Sequence, residues 1–346
     1  MNADLRAPTL DEVRAARGRL AGIALQTPLL RLEWEPPAAG SGAAGDAVSA
    51  AAGRAGAEPA AEIYLKLENL QPIGSFKLRG AANAMLQGGP ERLAGGVYTA
   101  SAGNMAQGVA WAARRLGVGA TAIVPDHAPA TKLAAIERFG GTVVKVPFET
   151  WWQVIAEHCY PGMAGLFIHP VSDTAVMAGN GTIGLEIHEQ LPGVDLVLVP
   201  FGGGGLSCGI AAALRELRPA AAVHGCEVTT ASPLAASLAA GAPRTVDYQP
   251  SFVDGIGGKA LLPEMWPLVS SLLAGSHVVS LAAVAAAVRL LAERHRVIAE
   301  GAGATAVAAA MALAATAPGK KIVCIVSGGN IDNAKLAVIL AGGVPP

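Results

Sequence analysis

The 346 residues, 52% apolar and 15% charged, suffice for one large or two moderate domains around a substantial core, and exclude a chain disordered as a whole. A formal net charge of -1 excludes the basic footprint of a nucleic-acid binder and of a protein held on an anionic membrane. Residues 1–9 lack a secretory leader pattern, and the weakly polar stretch 301–318 has too few large apolar groups to span a bilayer. A soluble, cytoplasmic protein is expected. Cys159, Cys208, Cys226 and Cys324 show neither a CxxC pair nor metal-ligand spacing, and read as buried reduced thiols.

Along the chain, Thr9 and Glu12 form a capping-box pattern that opens an N-terminal helix, and residues 27–32 read as a strand. Residues 35–62 are rich in Ala, Gly and Pro without periodicity, which predicts a mobile surface loop free of catalytic groups. The apolar run 63–67 predicts a short buried strand, broken by Gln71-Pro72-Ile73-Gly74. Strands are then expected at 96–100, 120–124 and 142–146, with helices at 105–116 and 130–139 between them. The alternation continues through 196–200, 206–217, 222–226, 281–293, 305–315 and 322–326. Short apolar runs alternating with helical stretches imply parallel strands joined by crossover helices, hence an α/β fold with helices on both sheet faces. Gly88-Gly89-Pro90 marks a hinge and Pro170-Val171-Ser172 its return crossing. The expected division is a large domain of 1–88 with 174–346, and a small one of 89–173.

Chemistry concentrates at four strand ends. Lys77 sits behind Phe76 at a strand-to-helix corner, where burial would lower its amine pKa and suit it to Schiff-base formation. Gly202, Gly203, Gly204 and Gly205 follow an apolar strand and precede a helix beginning near Leu206. Such a run turns several N–H groups into one concavity at a helix N-terminus, a seat for phosphate. Ser101-Ala102-Gly103-Asn104-Met105 again joins a strand to a helix, whose exposed N–H groups can take a carboxylate. Ser327-Gly328-Gly329-Asn330 closes a fourth strand with a glycine turn.

The segment from Leu65 to Gly80, the tetraglycine loop and the two serine loops together resemble the serine/threonine dehydratase family. These are fold type II pyridoxal-phosphate (PLP) enzymes with two doubly wound, tryptophan synthase β-like domains, and the resemblance spans nearly the whole chain outside the Ala/Gly-rich insertion. It implies that Lys77 carries PLP and that Gly202 to Gly205, with Leu206, hold its phosphate. It further implies that Phe76 packs near the ring, Asn104 bonds the ring hydroxyl oxygen and Ser327 meets the pyridine nitrogen. Ser101, Ala102, Gly103, Asn104 and Met105 would surround the substrate, Ser101 and Lys77 being the catalytic pair. The implied activity is α,β-elimination from a β-hydroxy-α-amino acid such as L-threonine or L-serine, in a homodimer.

Two departures qualify the resemblance. Met105 stands where many relatives carry His, so the substrate can differ from threonine. Ala102 stands where serine racemases of the family carry a serine that donates a proton, which favours elimination over racemisation. A neutral hydroxyl at Ser327 limits the electron-sink character of the ring and points the same way. The runner-up readings are a racemase or β-replacement enzyme on the same scaffold, a nicotinamide enzyme, and a non-catalytic ligand binder. For the nicotinamide enzyme, Gly203-x-Gly205 with Glu227 on the next strand imitates a dinucleotide fingerprint, but Cys208 occupies the third glycine's place.

Glu300 resembles an acidic position near the ring, and Asp254 lies in a glycine-rich loop expected to line the pocket. Glu227 matches one ligand of the family's divalent cation site, but Pro233 replaces the second. Trp151 and Trp152 read as a packed aromatic pair at a helix start. No appended regulatory domain is expected, since the chain stops soon after the Ser327 motif.

Overall fold

A computed structural model describes residues 5–34 and 61–346. The first half contains α1 (Leu10–Arg19), β1 (Leu29–Arg31), β2 (Glu62–Lys66), α2 (Lys77–Leu93), β3 (Val97–Ala100), α3 (Asn104–Leu116) and β4 (Ala120–Pro125). There follow α4 (Ala130–Arg138), β5 (Thr142–Val146), α5 (Phe148–Glu157), β6 (Leu166–Phe167), α6 (Thr174–Gln190) and β7 (Leu196–Pro200). The remainder holds α7 (Gly205–Leu217), β8 (Ala222–Val228), α8 (Pro233–Ala240), α9 (Trp266–Leu272), β9 (Gly275–Val279), α10 (Leu281–Leu290), α11 (Gly301–Leu313), β10 (Lys321–Ile325) and α12 (Asn333–Leu340).

These strands form two sheets, ordered β1-β2-β10-β7-β8-β9 and β5-β4-β3-β6. Every pair is parallel except β1 with β2. The expected α/β class with mostly parallel, helix-covered sheets is what the chain adopts. Parallel strands aim their C-terminal ends one way, and the loops that leave β2, β3, β7 and β10 carry the four motifs. The path of α2 breaks at Gly89, whose φ is 74°.

The capping box of α1 forms as expected, with Thr9 and Glu12 each satisfying the other's backbone. The stretch 281–293 is helical only to Leu290, after which Leu291–His295 widens into a π-turn. The helix expected at 305–315 begins instead at Gly301, with Glu300 as its N-cap. The large helix α6 gave no periodic signal. Twelve of its residues are buried, so it presents no polar stripe, and its glycines sit against neighbouring backbones. A Cβ on Gly179 would stand 2.4 Å from the carbonyl oxygen of Arg79, so α6 packs on α2 only because that position is glycine. Cys208, Cys226 and Cys324 are buried free thiols. Cys159 is exposed, contrary to the sequence reading, because it follows His158, which caps α5 in the left-handed conformation at the surface end of that helix. Most of the stretch read as a mobile loop lies outside the described residues; Glu62, its last residue, opens β2.

Among the described residues no helix is long and apolar enough to cross a membrane.

Candidate active site

The sequence-predicted site residues converge on one cavity of about 410 Å³ between the two sheets' C-terminal edges. Phe76, Lys77, the Ser101 loop through Met105, the four glycines with Leu206, Asp254, Glu300 and Ser327 all line it. A larger cleft, about 790 Å³, opens near Gly88 and Asp173 but contains none of these groups.

Lys77 is the first residue of α2, and the β2-to-α2 connection that delivers it is sewn to the Ser327 loop. The Phe76 N–H donates to the Ser327 carbonyl at 3.0 Å, and the Gly329 N–H to that of Gly74 at 2.9 Å. The Lys77 Nζ donates to the Pro170 carbonyl at 2.8 Å and lies 5.3 Å from the centroid of the Phe76 ring. Burial pushes the amine down from 10.5 to about 8, and Glu300 opposes that shift. Glu300 itself is pushed up by burial from 4.5 to about 7, although a hydrogen bond from Asn104 favours its charged form. Both groups are thus poised to change protonation near neutral pH.

The start of α7 is an amide cradle. The Phe201 N–H is spent on Cys226 and the Cys208 N–H on Gly204. Among the described residues, those from Gly202 through Ser207 have no protein acceptor. Gly204 has φ 97° and caps the helix without any side chain. Val171 presses on the loop so closely that a Cβ at Gly203 would come within 2.7 Å of its methyl groups. The helices α3 and α11 likewise meet the cavity without a side-chain cap. Open helix starts with a free amine beside them fit a dianionic, aldehyde-bearing cofactor.

A polar chain orients the Ser101 loop. Asn330 Nδ2 donates to Asn104 Oδ1 at 2.8 Å, and Asn104 Nδ2 donates to Glu300 Oε1 at 2.9 Å. Ser101 Oγ accepts from the Gly103 N–H at 3.1 Å, so the hydroxyl shapes the loop while Gly103 takes the N-cap position.

The next strand-to-helix corner is filled instead. The Glu227 carboxylate accepts from the N–H groups of Leu234 and Ala235 and from the Ser276 hydroxyl, each at 2.8 Å. Its oxygens cap α8, which gives the residue a structural role. Asp254 sits at the cavity mouth, 3.0 Å from Lys132 Nζ and 3.6 Å from Lys335 Nζ. Trp151 both packs 6.3 Å from Trp152 and lines the cavity. Sequence reading assigned no site role to Pro170, Val171, Lys132 or Asn330. Asn330 was visible beside Ser327, while the others carry no local pattern.

The sequence model of a family described as pyridoxal-phosphate dependent enzyme matches residues 47–328. The chain belongs to that family. Within it, the chain is 41% identical over 284 residues to an L-threonine ammonia-lyase of Geobacter sulfurreducens, covering 82% of this chain and 70% of that protein. Among solved structures it resembles processed threonine deaminase isoform 2 of Solanum lycopersicum, with TM-score 0.77, 29% identity and coverage of 99% and 98%. It also resembles maize serine racemase, with TM-score 0.80, 29% identity and 96% of each chain covered. The protein is a pyridoxal-phosphate dependent lyase.

Proposed function

We propose that this lyase is an ammonia-lyase acting on a β-hydroxy-α-amino acid, L-threonine, L-serine or a close analogue, and releasing a 2-oxo acid and ammonia. One observation carries the reading: an amine with depressed basicity, a phosphate seat and an open helix start suited to a carboxylate face a single cavity. The likeness to an L-threonine ammonia-lyase of Geobacter and to a threonine deaminase of Solanum supports threonine as substrate.

In this reading Lys77 would attach the cofactor, and the N–H groups of Gly202 to Gly205 and Leu206 would hold its phosphate. Ser327 would serve the ring nitrogen, Asn104 the ring hydroxyl, and Phe76 the ring itself. Bound there, PLP supplies an electron-withdrawing ring that stabilises negative charge at the substrate Cα. The substrate carboxylate would lie on the Ser101 hydroxyl and the open amides of Asn104 and Met105 at the start of α3, the Gly103 N–H being held by Ser101. Once displaced by the substrate's amino group, Lys77 is a free amine whose neutral fraction, set by a pKa of about 8, would remove the Cα proton as general base. The same amine, now an ammonium, returns a proton to the departing β-hydroxyl. The enamine set free hydrolyses to the 2-oxo acid and ammonia. Ala102 offers no hydroxyl to reprotonate Cα from the opposite side, which favours elimination.

The two-domain division at 88/89 and 173/174 is part of the same reading, supported by the break in α2 at Gly89. So is a cytoplasmic homodimer.

Mass-spectrometric screening of 2-oxo acid release from L- and D-β-hydroxy amino acids tests the function. Release from L-threonine or L-serine is expected; a panel without any turnover overturns the assignment. The likeness to maize serine racemase keeps one rival open, and appearance of the D-enantiomer as main product would favour it.

A further inference from the structure

The residues that cross from β6 to α6 lie directly over the cavity, and they are held by an imidazole. His169 is 1% exposed. Its Nδ1 accepts from the N–H groups of Val171 at 3.0 Å and Ser172 at 2.6 Å. Two donors on Nδ1 fix the tautomer, so Nε2 carries the hydrogen and donates to the Ile155 carbonyl at 3.2 Å. The ring is therefore used on both sides and ties residues 169–172 to α5. The His158 ring stacks on it at 4.2 Å, in a residue held at φ 58°, and His158 Nε2 lies 3.7 Å from Glu264. Glu264 also accepts from the Ser172 hydroxyl at 2.9 Å. Burial and the neighbouring His158 hold His169 down at about 3, so it remains a neutral acceptor wherever the enzyme works.

Two contacts leave this strap toward the site. The carbonyl of Pro170, the residue next to His169, is the acceptor for Lys77 Nζ. Val171 packs on Gly203 and Gly205 of the cradle. A strap free to swing would lose both together.

We propose that His169 is a positioning residue, whose imidazole sets the strap so that the Pro170 carbonyl aims the Lys77 amine and Val171 shapes the phosphate cradle. The inference rests on the assignment of Lys77 as the attachment point. His169 touches neither substrate nor cofactor; its effect passes through Pro170 and Val171.

The test compares His169→Leu, of similar bulk but without an acceptor, with His169→Asn, which keeps an oxygen acceptor on a shorter arm. Three quantities are measured: hydrogen exchange of the Val171 and Ser172 amides in cofactor-free protein, the rate at which added PLP couples to Lys77 with loss of water, and kcat and KM on L-threonine. In His169→Leu the two amides should exchange faster, with coupling and kcat each falling about tenfold and KM changing less than about twofold. His169→Asn should recover most of each loss. Equal defects in both variants, or wild-type coupling in His169→Leu, overturn the proposal. Should His169→Leu not fold, His169→Asn decides against wild type: coupling slowed with amide protection intact overturns it, and coupling that tracks amide protection supports it. Failure of borohydride to trap PLP on Lys77 in the wild type would instead remove the underlying assignment.

Discussion

Two cations stand two residues apart at the start of α2 and meet opposite fates. Arg79 is buried, and its guanidinium donates to both oxygens of Glu68 at 2.8 Å and to both oxygens of Glu186 at 2.6 and 3.0 Å. Lys66 adds a second cation on Glu186 at 2.5 Å, so two positive and two negative groups close a balanced set. Burial lowers the pKa of Arg79, but the Glu68 and Glu186 carboxylates outweigh it and hold the pKa above the usual arginine value. Glu68, which burial would neutralise, is held below the usual carboxylate range by Arg79. Lys77 has one neutral carbonyl as its hydrogen-bond acceptor and a carboxylate that is itself half-protonated near neutral pH, and its amine falls to about 8. Between Arg79 and Lys77 the ionised partners set the difference, although Lys66, with Glu186 beside it, is still pushed down by burial. The quartet anchors the helix, and the lysine at its tip keeps a removable proton.

The sharpest way to break the contrast is at its reactive end. Lys77→Ala should lower turnover at least about a thousandfold and abolish the absorbance of bound cofactor; near-normal values would end the assignment. At the anchored end, Arg79→Leu leaves Glu68 and Glu186 facing each other with one cation, and should cost about 3–5 kcal/mol by urea unfolding. A loss under about 1 kcal/mol would mean that the quartet contributes little beyond packing.

Glu300 sharpens the comparison through pH. Its folded pKa, about 7, lies above its ordinary 4.5, so the folded chain holds the proton longer. Its contribution is therefore full at low pH and lost as pH rises from about 4.5 through about 7. In cofactor-free Glu300→Gln this decline, on the order of 3 kcal/mol, should vanish from the pH dependence of denaturant midpoints. Lys77 works in the other direction: its depressed pKa adds stability as pH rises from about 8 toward 10.5. The smallest effect belongs to Glu227→Gln, which weakens the cap of α8. About 1 kcal/mol of stability should go, with kcat unchanged. A large loss of activity restored by a divalent cation would return Glu227 to the site.

Much of this was legible in the sequence because each motif is local. A strand end, a glycine turn and a helix start are read within about ten residues, and Lys77, the tetraglycine loop, Asn104 and Ser327 all lie in such corners. What holds them was not legible. Lys66, Glu68 and Arg79 were in plain view, but their partner Glu186 is 120 residues from Lys66, on a helix whose glycines concealed it. Asn330 reaches Asn104 across 226 residues, and Pro170 reaches Lys77 across 93. Glu227 is the opposite case: its position on the strand after the glycine loop suits a ligand, and the start of α8, a few residues on, gives it two N–H donors that no motif announced.

The cradle at α7 is built from peptide N–H groups rather than from lysine or arginine side chains. Nothing in such a seat titrates, so its grip on a doubly charged anion should stay level across neutral and mildly alkaline conditions. It also has little means of telling one tetrahedral dianion from another. Inorganic phosphate should therefore act as a competitor during reconstitution, and enzyme stripped of its coenzyme should regain activity more slowly in phosphate than in a zwitterionic buffer of equal ionic strength.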